Sequence, residues 1–158
     1  MVRRISLGLV VLGLASSALA VEAATQKFDW NPINGIQEVH VEVARVVVAE
    51  LKFDLGGTLE KTPIRRSSAK VIARVDNNGW IDQEVGIAVV VFDGDGNVVA
   101  AGSGGTKWGY LNKGVRDTYT IEFPYVYRRF DQAKSILVTL ESKEKPGKQK
   151  APSPTPTP

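Results

Sequence analysis

From Val39 onward, apolar and polar residues alternate with a period of two along most of the chain, the spacing that sends successive side chains to opposite faces of a strand. In the first run Val39, Val41, Val43, Val47, Ala49, Leu51, Phe53 and Leu55 share one parity, while His40, Glu42, Glu50, Lys52 and Asp54 share the other. Only Arg45 breaks the pattern. A straight strand over 39–55 would reach roughly 56 Å at about 3.3 Å per residue, against a usual length of ~17–20 Å. The run therefore predicts one long strand that bends or bulges near Arg45 and Val46 and passes from one sheet to another.

Further strands follow the same logic. Ala69, Val71, Ala73 and Val75 predict a strand over 69–75 that ends in the turn-forming run Asp76-Asn77-Asn78-Gly79. The segment 84–92 is apolar on both parities and predicts an interior strand, which Asp93-Gly94-Asp95-Gly96 joins by a hairpin to 97–101. Tyr119, Ile121 and Phe123 mark the inward face of 117–123, and Ile136, Val138 and Leu140 that of 135–141. The stretch 58–68, with Pro63, reads as a loop, and the Gly-rich stretch 102–114 as a flexible connection. No segment carries a helical period. The expected fold is all-β, a single antiparallel immunoglobulin/fibronectin-like β-sandwich of about seven strands. It occupies 36–141, after a lead-in over 21–35 and before a disordered Lys/Pro-rich tail over 142–158.

The first 20 residues change the reading of charge and compartment. Arg3 and Arg4 precede an apolar run from Ile5 to about Leu14, and Ala18-Leu19-Ala20 is a small-x-small cleavage site, the layout of a secretory signal peptide. The run is shorter than the ~20 apolar residues of a membrane span, so no transmembrane span is expected after cleavage. The predicted location is periplasmic or secreted. The whole chain has a formal charge of +3, of which cleavage after Ala20 removes two positive charges. The tail over 142–158 carries a further +3, so 21–141 comes to −2. A nucleic-acid-binding domain concentrates its Lys and Arg on the fold itself, so no nucleic-acid partner is expected. The absence of Cys rules out disulfides, thiol catalysis and thiolate metal sites.

Ala73-Arg74-Val75-Asp76-Asn77-Asn78-Gly79, then Val89-Val90-Val91-Phe92-Asp93 with Gly94-Asp95-Gly96-Asn97-Val98-Val99, then Leu111-Asn112-Lys113-Gly114 resemble the FxLYD family of extracytoplasmic sandwiches. In the name motif Val89 stands for Phe, Val91 for Leu and Phe92 for Tyr, with Asp93 kept. The resemblance covers about 68–140. It implies a non-catalytic binding or envelope module and carries over no catalytic residue.

Candidate chemistry is sparse. Asp93-x-Asp95-x-Asn97 begins like a Ca²⁺ loop, but Val98 stands where the sixth-position Gly belongs and Thr106 where the twelfth-position Glu belongs. No metal or cofactor is expected. His40, the only histidine, lies on a polar parity with no nucleophile motif to accompany it, so no catalytic residues are assigned and the chain is read as a non-enzyme. Two clusters remain as candidate binding ends. If connections alternate between the ends of the sandwich, Trp30, Trp80, Trp108 and Tyr110 gather at one, and Arg65, Arg66, Tyr125, Tyr127, Arg128 and Arg129 at the other beside Asp93 and Asp95. Aromatics supply rigid contact area, and paired arginines suit an anionic group. The expected function is a non-enzymatic module that binds a protein or cell-envelope polymer. The alternative is a protease-inhibitor-like sandwich with its inhibitory loop at 58–68.

Overall fold

The computed structural model describes residues 21–56 and 69–146. The predicted leader, the 58–68 loop with Arg65 and Arg66, and the tail from 147 onward lie outside the described residues. The described residues form a β-sandwich of eight strands: β1 (Glu22–Asp29), β2 (Ile36–Val43), β3 (Val46–Asp54), β4 (Lys70–Asn77), β5 (Gln83–Asp93), β6 (Val98–Gly105), β7 (Arg116–Glu122) and β8 (Ala133–Glu144). They form two four-stranded antiparallel sheets, in the orders β1-β8-β5-β6 and β2-β3-β4-β7. Val41, Val48, Leu51, Val71, Val75, Val89, Val91, Ile121, Ile136, Val138 and Leu140 fill the space between the sheets, so the period-two pattern is the core pattern.

The expected long strand over 39–55 is instead the β2–β3 hairpin, and both arms lie in one sheet. Ala44 and Arg45 form its tight turn with φ of 48° and 64°, the left-handed pair that lets a two-residue turn follow the strand twist. The turn alone would reverse the inward parity, and Val46 and Val48 do point inward. A bulge between Val48 and Glu50 then restores it, so Leu51 and Phe53 face the core. Turn and bulge cancel, which is why the alternation ran on unbroken. Neither Ala44 nor Arg45 is suited to positive φ, so the double change Ala44→Asn with Arg45→Gly is expected to stabilise the domain by about 1 kcal/mol, read as a rise in melting temperature.

Three boundaries also move. The lead-in contains β1, which pairs with β8 along its whole length and brings in an eighth strand. Gly102–Gly105 is not a flexible loop but half of β6. β8 runs on to Glu144, past the expected domain end at 141. One end of the sandwich is closed by a ring cluster: Trp30 stands edge-on to Phe53 with centroids 4.7 Å apart, and Phe130 lies 6.0 Å from both Trp30 and Phe123.

Candidate functional site

The other end of the sandwich collects three connections: the Ala44–Arg45 turn, the 78–82 loop after β4, and the 106–115 loop between β6 and β7. Trp80 and Trp108 project from the last two with 79% and 97% of their surface exposed, and Ile81, Tyr110 and Val115 are exposed beside them. Neither tryptophan plugs the core. Trp30 does not join them: because the expected single strand over 39–55 is a two-strand hairpin, the segment before β2 falls at the opposite end, where the Trp30 ring is half-buried against Phe53 and Phe130. The expected four-residue cluster is thus Trp80, Trp108 and Tyr110.

What fixes these loops is Asn77, the last residue of β4 and only 1% exposed. Its Nδ2 donates to the carbonyls of Ile81 and Leu111, both at 3.0 Å, and its Oδ1 accepts from the Gly79 N–H at 2.9 Å. Its backbone N–H donates to Val115 O, and its carbonyl accepts from Gly114 N–H. One side chain and its own peptide groups therefore bind both tryptophan loops. Gln83 adds a two-way backbone bridge to Leu111, and its Oε1 accepts from the Ser142 hydroxyl. The Asn78 N–H donates to Arg45 O, joining the hairpin turn to the same assembly. The sequence marks Asn77 only as turn chemistry. Its two loop partners lie 4 and 34 residues away, and no local signal reaches the second.

Asp82 ties in the chain beyond β8. Its Oδ1 accepts from the Lys113 N–H and its Oδ2 from the Lys145 ammonium, while its carbonyl accepts from the Lys145 N–H. The Lys113 N–H and then Lys145 hold its carboxyl below the ordinary value of 3.8. The same ammonium lies 4.8 Å from the centre of the Tyr110 ring, a cation–π geometry. Lys145, just past β8, is thereby tied to the tryptophan end. A shallow cleft of about 240 Å³ beside Trp80 is bordered by Ala44, Arg45, Ile81 and Glu144.

At the opposite end the structure brings together Tyr125, Tyr127, Arg128 and Arg129, with the two tyrosine rings 6.2 Å apart. The arginines are not an open pair: Arg128 is bonded to Asp93 and Arg129 to Asp131. Asp93 itself organises the β5–β6 turn, accepting from the N–H groups of Asp95 and Asn97 and from the Asn97 side chain. Burial works to raise its pKa, but those donors together with Arg128 outweigh it and hold the carboxyl below the ordinary range. The Ca²⁺-loop-like spacing is thus used to close a hairpin. His40 stands exposed on β2 with Nε2 3.6 Å from Glu42.

Among the described residues, the tryptophan end presents the most exposed aromatic rings, on loops tied together by Asn77. No family model and no curated protein matches this chain. Its function is therefore argued from this geometry.

Proposed function

We propose that the chain is an exported, non-enzymatic, FxLYD-like binding module that engages a protein or cell-envelope polymer through the end carrying Trp80 and Trp108. The observation that carries this reading is the near-complete exposure of both rings on loops locked by a buried asparagine. An aromatic ring left in water forgoes several kcal/mol of burial at about 25 cal/mol per Å². Loops whose backbone is already tied down lose little further backbone entropy when a partner covers the rings they carry. Export rests on the leader-like first 20 residues. Lys148 and Lys150, which follow in the sequence, add an electrostatic component that salt screens.

The double substitution Trp80→Ala with Trp108→Ala tests the reading. Two aromatic anchors at about 2 kcal/mol each predict at least a ~100-fold loss of binding to a native cell-envelope fraction or to a partner purified from it. The melting temperature should move by no more than about 2 °C, since neither ring packs in the core. Retained binding, or a collapse in stability, would overturn the assignment. A tail-less control must end after Pro146 rather than at 141, because β8 runs to Glu144 and Lys145 is part of the loop assembly.

A further inference from the structure

The outward faces of the two sheets differ. On β2-β3-β4-β7 the solvent side carries Glu38, His40, Glu42, Lys52 and Arg74, the polar face expected of an antiparallel sheet covered on one side. On β1-β8-β5-β6 the core side takes Val85, Ile87, Val89 and Val91 of β5 and Ile136, Val138 and Leu140 of β8. Ala88, Val90, Phe92, Leu137 and Thr139 are therefore left facing out. Among the described residues, the interior strand that is apolar on both parities is covered by a second sheet on only one of them, and its other side is half-buried.

The register across this outward face is specific. Ser103, Ala88, Thr139 and Thr25 form a row of small residues straight across the four strands, with the two threonine hydroxyls bonded to each other at 2.9 Å. The next outward row on one side is Ala101, Val90, Leu137 and Lys27, and on the other Gly105, Gly86, Glu141 and Ala23. The second row has the smaller side chains on β5 and β6: a trough of about 540 Å³ lies over Gly86, Ser103, Gly104 and Gly105, flanked by Glu84, Lys107, Glu141 and Lys143, and a second hollow of about 650 Å³ runs beside Ala88, Val90 and Ala101 along the β6–β7 edge. A two-fold axis along the central row turns each row onto the other. Val90 then meets Gly86, Ala101 meets Gly105, and Leu137 lies on the stem of Glu141. Lys27 meets Ala23, the strand neighbour of Glu141, which brings ammonium and carboxylate of the two copies side by side. At the margins, Lys143 of one copy falls toward Asp29 of the other.

We infer that this face takes a second copy of the chain, in an isologous face-to-face dimer about the Ser103–Ala88–Thr139–Thr25 row. Under one rotation Val90 and Ala101 meet glycines, Lys27 comes beside Glu141 and Lys143 beside Asp29, while Leu137 and Phe92 lie along the stems of Glu141 and Glu84; this is the self-complementarity a two-fold interface requires. Sheets packed face to face lie about 10 Å apart and about 30° from alignment, and residues beside the axis are displaced least by that angle. Four strands at about 4.8 Å spacing give on the order of 1,000 Å² over both copies. That is near the lower bound for a specific interface, so the dimer is reversible and concentration-dependent. The rotation reverses the strand direction, so the two Trp80–Trp108 ends point to opposite poles. The dimer is then a bridge with two identical docking ends.

Sedimentation velocity of the purified protein over a concentration series tests the inference. The expected result is a monomer–dimer equilibrium. Val90→Glu, which sets a carboxylate against Gly86 between Glu84 and Glu141 of the other copy, should raise the dissociation constant at least about tenfold while leaving the circular-dichroism melt in place. Lys27→Glu and Glu141→Lys should each weaken the dimer, and the two together should restore it. This charge exchange carries the test on its own if Val90→Glu does not fold. A protein that stays monomeric at every concentration overturns the inference. So does a dimer insensitive to the charge exchange, or one dispersed by Trp80→Ala with Trp108→Ala, which would place self-association at the aromatic end. Loss of envelope binding by the tryptophan variant with the dimer intact keeps the two surfaces distinct.

Discussion

Gly102→Ala is expected to destabilise the domain by roughly 3 kcal/mol, a fall of about 10 °C or more in melting temperature for a domain of this size. β6 is the edge strand of its sheet, and its Gly102 and Gly104 close one side of the sandwich against β7 of the other sheet. A Cβ at Gly102 would lie 2.3 Å from the Glu122 carbonyl oxygen and 3.0 Å from the Ile121 methyl. The clash is with backbone, so rotating a side chain cannot relieve it. β6 would have to withdraw from β7 and loosen the packing of Ile121, which is fully buried. Ser103→Ala, on the outward parity of the same strand, is the control and should change stability by less than about 0.5 kcal/mol. The pair separates two descriptions of 102–105. A flexible loop tolerates either substitution, whereas a strand wedged against its neighbour tolerates only the second.

Asn77→Asp is expected to be as damaging, on the order of 3 kcal/mol at neutral pH, although it changes a single side-chain atom. A carboxylate retains the bond from the Gly79 N–H but has no donor for the Ile81 and Leu111 carbonyls, each 3.0 Å from the present Nδ2. A buried negative charge would face two carbonyl oxygens. The Leu111 carbonyl keeps the Gln83 N–H, while that of Ile81 loses its side-chain donor, so the 78–82 loop should loosen first. Partner binding should weaken with neither tryptophan altered, and chemical denaturation alongside a binding assay separates this from Trp80→Ala with Trp108→Ala, which should spare stability. Binding at full strength by the Asn77→Asp protein would show that the rings need no fixed frame.

The all-β class, the identity of most core residues and the interior place of β5 were legible in the sequence. Burial on one face of a strand imposes a period of two, and that signal is local. Trp80 and Trp108 were legible as a pair at one end because consecutive antiparallel strands alternate in direction. The rest depended on contacts between distant segments. The β2–β3 hairpin was hidden because a two-residue turn and a bulge each shift parity by one and cancel. β1 was hidden because as an edge strand it buries little, with only Ala24 and Phe28 half-covered. Its backbone bonds to β8 leave no mark on composition, and Trp30 lies at the far end because the hidden hairpin adds a strand between it and Trp80. Gly102 looked flexible because glycine is permissive in isolation, whereas here it is the one residue that fits beneath the Glu122 carbonyl. The sequence by itself determined the all-β class and most of the buried set, because these follow from side-chain hydrophobicity and alternation. Only the tertiary structure decided that Val46 and Val48 turn inward, which strands are neighbours, which asparagine holds the aromatic loops and which sheet face the described residues leave without a covering layer, because each of these is set by contacts beyond the local pattern.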